Sequence, residues 1–304
     1  MQLYTHAACL AHSAGPGHPE SPSRLQAILE ALDADRFATL DRIEAPPATR
    51  EQLARVHHAA LIERVFDSAP QHGFARLDPD TAMNPDSLSA ALRAAGAVCA
   101  AVDAQLDGRA TRAFCAVRPP GHHATRDTAM GFCLFNNVAV GAAHALARGI
   151  ERVAIVDFDV HHGNGTQDIC WNEPRLLYAS THQWPLYPGT GAREERGHGN
   201  IVNAPLPPRS GPAEFRAAME RVVLPALHAF RPQLVMISAG FDAHRLDPLA
   251  DLNLEAADYA WVTRELVDIA QKFASGRIVS SLEGGYSLSA LRDSSTAHVA
   301  ALME

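Results

Sequence analysis

The chain is predicted to form one α/β domain on a parallel sheet with helices on both faces, and three observations predict it. Apolar runs such as Val153-Ala-Ile-Val156 lack the polar alternation of a half-exposed strand, which suits strands covered on both sides. Helical stretches alternate with these runs along the chain. Polar loops rich in Gly, Pro and His follow the runs, and in open parallel sheets ligands bind beyond the carboxyl ends of the strands. The 304 residues, 47% hydrophobic, suffice for one large domain over 1–304, and no repeat, low-complexity tract or linker divides them.

Taken in order, Gln2–Thr5 reads as the first strand, and the loop Ala14–Ser23, with three prolines, leads to a helix from about Arg24. Thr49-Arg-Glu-Gln52 is a capping box, and Leu61, Ile62, Val65 and Phe66 form a helical stripe. His57 and His58 read as helix-boundary residues rather than ligands. The Ala-rich stretch from Asp86 to Leu106 is a helix stopped by Asp107-Gly108. A strand at Ala113–Val117 ends in Arg118-Pro-Pro-Gly-His-His-Ala124. A second Ala-rich helix from about Asn137 closes at Gly149. Further strands at Leu176–Ser180, Leu234–Gly240 and Ile278–Leu282 lead into Trp184–Gly191, Phe241-Asp-Ala-His244 and Glu283-Gly-Gly-Tyr286.

A net charge of −8 argues against nonspecific nucleic-acid binding. No basic-then-apolar leader opens the chain, and no run reads as long enough to span a bilayer, so the expectation is a cytoplasmic protein with no membrane partner. The five cysteines are scattered, without a C-x-x-C pair, and read as reduced, buried thiols.

The chemistry concentrates after Val153–Val156. Asp157, Asp159 and His161 are spaced i, i+2, i+4, so in extended chain they leave one face; Gly163 and Gly165 then turn the backbone, and a helix is expected from about Thr166. Separate strands bring His122-His123, Asp157/Asp159/His161, Asp242 and Tyr286 to one rim. So many ionisable groups would cost several kcal/mol each if buried unpaired. A catalytic zinc usually takes three protein ligands, which Asp159, His161 and Asp242 would supply. Adjacent histidines suit proton transfer, and a tyrosine hydroxyl suits an oxyanion.

Arg118–Ala124, Gly131-Phe-Cys133 with Asn136-Asn137, Asp157–Thr166, Ser238–Asp242 and Glu283–Tyr286 resemble the zinc-dependent histone deacetylase family, on its class II side. The resemblance runs from His18 to the last helix. It implies an arginase/deacetylase-type fold of roughly eight parallel strands and hydrolysis of acyl amides on lysine-like amines. By resemblance, Asp159, His161 and Asp242 are the zinc ligands, His122 and His123 the catalytic dyad, and Tyr286 the oxyanion tyrosine. Asp157 would orient His122. Asn164 stands where class I members carry an aspartate and would orient His123. Phe132, Tyr187 and Leu249 fall at the substrate channel; Tyr187 replaces the more usual Phe. The resemblance also implies a potassium ion near Asp157, Asp159, His161 and Ser180.

Other readings stay open. Phe132 and Tyr187 taken singly suit a core, His244 a supporting position, and Glu283 a buried hydrogen-bond partner. The substrate is an acyl-lysine protein or peptide, or a small acylated amine. An acetylpolyamine amidohydrolase would share the chemistry, but members selective for polyamines can carry a glutamate where this chain has Leu249. An arginase-like ureohydrolase with two manganese ions would lack the dyad, and a noncatalytic acyl-lysine reader would not need every catalytic position filled.

Overall fold

The computed structural model describes residues 1–304. Its main sheet comprises β1 (Gln2–Thr5), β2 (Asp41–Glu44), β3 (Arg112–Cys115), β4 (Val153–Asp157), β5 (Leu176–Gln183), β6 (Ile201–Leu206), β7 (Leu234–Ala239) and β8 (Ile278–Leu282). All eight are parallel, in the order β2-β1-β3-β8-β7-β4-β5-β6. Helices Ser87–Leu106 and Asn137–Ala147 pack together in one layer, while Ala256–Phe273, Leu288–Met303 and Pro22–Ala31 form another.

The central strands are the apolar runs, buried at every position in β3, β4, β5, β7 and β8. The two strands not anticipated, β2 and β6, are the sheet edges. β2 is largely exposed and reads Asp-Arg-Ile-Glu, and β6 carries Pro205, tolerated where one side of the strand needs no partner. The Thr49 cap is present with both of its bonds.

One expectation is overturned: Ser87–Leu106 is long and apolar enough to cross a membrane. Its apolar surface is instead used in the fold, with Ala94, Ala97, Val98, Ala101 and Val102 wholly buried. Small side chains bring it close to its neighbours, and Gly96 lies against the Pro46–Ala48 backbone.

Between the sheet and the Ala256–Phe273 helix, His298 is wholly buried. Thr263 Oγ1 donates to Tyr259 O, so it accepts from His298 Nδ1 at 2.6 Å, leaving Nε2 to accept from Ser280 at 2.8 Å. The neutral ring is satisfied, and burial lowers its pKa to about 3. The unfolded imidazole titrates near 6.5, so stability from this group is full above that pH and falls as the unfolded chain takes up a proton the native ring refuses. Replacing it by His298→Asn should reduce the slope of stability against pH, between pH 6 and 4, by about 1.4 kcal/mol per unit. Urea denaturation across that range checks this; parallel slopes for the two proteins would contradict it.

Candidate active site

The residues singled out in the sequence follow β3, β8, β7 and β4, which are four adjacent strands at the centre of the sheet. Their loops therefore meet at one place, beyond the carboxyl ends. The geometry within the Asp157–His161 stretch differs from a continued strand, because β4 ends at Asp157. Side-chain bonds to the backbone shape the loop instead: Asp159 N donates to Asp157 Oδ1 at 3.1 Å, and His161 N to Asp159 Oδ1 at 2.9 Å. The following helix starts at Asn164, earlier than expected.

Asp242 is held by Val160 N at 2.8 Å and Asp159 by Gly284 N at 2.8 Å. One ligand atom each from Asp159, His161 and Asp242 lies within 4.8 Å of the others. Gly240 and Gly284 allow this approach, since a Cβ at either would overlap the carboxylates.

Taken as protein groups alone, the charges conflict. Burial and the neighbouring Asp159 push the Asp242 carboxyl up to about 7, whereas His122 and His161 hold Asp159 below the usual range against its burial. His161 is raised to about 10 against its own burial, through its bonds to the two acids at 3.3 and 3.2 Å. Two buried carboxylates that repel one another beside an imidazole nitrogen are a donor set suited to a divalent cation.

His122 Nδ1 lies 3.1 Å from Asp157 Oδ2, which also accepts from Tyr178 at 3.0 Å. Against burial, Asp159 and Asp157 raise His122 to about 10. His123 Nδ1 lies 2.8 Å from Asn164 Oδ1, an acceptor, so that nitrogen carries the proton and Nε2 is left free to accept. Burial, with the charges of His122 and His161, keeps the His123 pKa well below the ordinary range. Glu283 is the buried hydrogen-bond partner its position suggested: it is fully buried and accepts from Gly121 N at 2.7 Å, His122 N at 3.1 Å and Ser238 at 3.1 Å, so it holds the His122-His123 loop.

A cavity of about 200 Å³ opens over these groups, lined by His123, His161, Phe132, Tyr187, Leu249 and Tyr286 together with Asp80, Gly131 and Leu186. The Tyr187 ring stands edge-on to His123 at 5.1 Å, and Phe132 edge-on to Tyr286 at 6.0 Å. Phe132 and Tyr187 are thus cavity walls rather than core. Phe132 adopts φ 69°, a costly region for a side chain of its size, and its N–H donates to Thr81 Oγ1 at 3.0 Å. Burial keeps the Tyr286 hydroxyl pKa well above its usual value, so it stays a donor.

Sequence reasoning missed Asp80, Thr81 and Arg24. Arg24 is fully buried, donates to the carbonyls of Glu283 and Gly285, pairs with Glu20 at 3.0 Å and lies 4.9 Å from the Tyr286 ring centre. Glu20 is shared with the buried Arg118 of the Pro-Pro-Gly-His-His loop. The signal available was a pair of charged residues beside the Pro-rich loop. His244 does not reach the cluster; it caps Leu246 N at 3.2 Å and faces Glu255 at 3.5 Å. His58 is a helix boundary as expected, and His57 bridges Thr125 O and Asn136 N. Ser180 is paired in register with Asp157, and its hydroxyl meets His182 Nδ1 at 2.9 Å.

The histone deacetylase domain matches residues 18–302. The chain is 43% identical to a histone deacetylase-like amidohydrolase of Pseudomonas aeruginosa, over 92% of this chain and 80% of that protein. It is 37% identical to the chloroplastic histone deacetylase 14 of Arabidopsis thaliana, over 96% of this chain and 74% of that protein. The crystal structure of the HDA15 HD domain superposes with a TM-score of 0.95 at 38% identity, covering 99% of this chain and 87% of that one. Matches of this extent, in sequence and in fold, show that the chain belongs to the histone deacetylase family.

Proposed function

We propose that this protein is a zinc-dependent amidohydrolase that removes acetyl or other acyl groups from the amines of lysine-like substrates. The observation that carries the reading is one cavity whose walls include His123, His161 and Tyr286, above the Asp159–His161–Asp242 cluster. Those three residues would hold the zinc, which when bound lowers the pKa of water to roughly 7 and polarises a carbonyl.

The chain's own groups account for the proton movements. His123 Nε2 accepts a proton from the attacking water, its Nδ1–H steadied by Asn164. His122, bonded to Asp157, supplies positive charge beside the anionic centre. The Tyr286 hydroxyl donates to the oxyanion as it forms. His123 then returns its proton to the leaving amine. Phe132 and Tyr187 flank the acyl-bearing chain and exclude water. The family-implied potassium near Asp157, Asp159, His161 and Ser180 would add fixed positive charge beside those residues.

The test is a release assay on acetyl-lysine peptide, longer acyl-lysines and acetylpolyamines in parallel, with zinc measured on the same preparation. Turnover of an acyl-amine by zinc-containing protein is expected; none on any of them would sink the reading.

One observation favours a cationic small substrate, namely that the acidic residue Asp80 is among those lining the cavity. Leu249, 36% exposed on the same wall, provides no second charge. Leu249→Glu should raise the preference for acetylspermidine over acetyl-lysine peptide by about fivefold in kcat/KM, the scale of a solvent-screened ion pair. An unchanged ratio would show that position 249 does not meet the substrate's distal amine.

A further inference from the structure

Asp247 lies on the loop after Asp242, 7% exposed, and its side chain bonds only backbone amides. Its Oδ2 accepts from Tyr286 N at 2.7 Å and Ser287 N at 3.3 Å, while Oδ1 accepts from Leu249 N at 3.0 Å. One carboxylate thus joins two segments of the cavity wall that lie far apart in the chain.

The need for such a link follows from the residues before Tyr286. Gly284-Gly285 has wide backbone freedom, and Gly285 adopts φ 122°. Left to itself, this pair would let the tyrosine swing. Arg24 grips the carbonyls of Glu283 and Gly285, and Asp247 grips the amides of Tyr286 and Ser287. The Leu249 bond extends the grip to the rim, where the substrate enters.

We infer that Asp247 is the positioning residue that sets Tyr286 at the reacting end of the cavity and couples it to the rim at Leu249. The inference rests on the oxyanion role proposed for Tyr286. Asparagine has one oxygen, so Asp247→Asn can serve the tyrosine side or the leucine side, and its NH2 then faces an N–H donor at the other. A displacement of about 1 Å at a reacting group can cost about 10²-fold in rate.

The test is a double-mutant cycle on the zinc-loaded protein. Asp247→Asn should lower kcat by about 10- to 100-fold, with KM and zinc content little changed. Amide hydrogen exchange should quicken at 286–287 or at 249. In a Tyr286→Phe background the same substitution should change kcat by less than about twofold, because the hydroxyl it positions is already gone. Equal losses in both backgrounds would overturn the inference while leaving the tyrosine's role intact. Full kcat in Tyr286→Phe alone would overturn that role and the inference together. If Asp247→Asn does not fold, Asp247→Glu, which keeps the charge but displaces both oxygens by a methylene, runs the same cycle with the same outcomes.

Discussion

Asp242→Asn should purify without zinc and without measurable deacetylase activity. It would remove one of the three proposed zinc ligands, and two do not hold a catalytic zinc against water and buffer. Asparagine is the informative replacement because its oxygen can keep the bond from Val160 N, which alanine would leave unpaired at a cost of about 1–3 kcal/mol. Chelation supplies a second readout. A ligand at a hundred times its Kd stabilises the native state by about 2.7 kcal/mol, so EDTA should lower the Tm of the parent protein by about 4 °C. The variant's Tm should not respond. Full metal occupancy in Asp242→Asn would refute the ligand assignment.

Tyr286→Phe should lose about 10²–10³ in kcat, the typical cost of one oxyanion donor, while keeping its zinc and most of its substrate affinity. His123→Ala should be impaired by a comparable factor, about 10²–10⁴ for proton transfer. The two are separated by pH. The His123 pKa lies well below the ordinary imidazole value, chiefly through burial, so the proposed base stays neutral in the parent protein as pH falls from 8 to 6. Tyr286→Phe retains that base and should show the parental profile at reduced height. His123→Ala removes the base and should change the shape. Near-parental kcat in Tyr286→Phe on an unactivated acetyl-lysine peptide would make the tyrosine a wall residue only.

Much of the fold was legible because its central strands are buried on both faces, and burial forces residue choice. Val153–Val156 and Leu234–Ile237 admit little but aliphatic side chains. The edges escaped for the opposite reason: Asp41–Glu44 faces solvent and Ile201–Leu206 tolerates a proline. Ser87–Leu106 shows a limit of composition, since an apolar 20-residue helix suits a membrane or a protein interior equally well until its neighbours are known. The candidate site was legible as a set of positions. Acids and histidines at the ends of apolar strands are costly to bury unless something pairs them, so His122, His123, Asp159, His161 and Asp242 stood out by residue type and spacing.

The sequence by itself determined the α/β class, the strands at the middle of the sheet and the group of polar residues beyond them. Only the tertiary structure decided which side chains hold those residues in place. Arg24 reaches the carbonyl of Glu283 across 259 positions, and Asp247 reaches Tyr286 across 39. Phe132 is pinned by Thr81 across 51. Each contact ends on a backbone N–H or C=O, which every residue but proline offers alike. Such bonds leave no pattern of residue types to read, and they exist only once the chain has brought distant loops to the same end of the sheet.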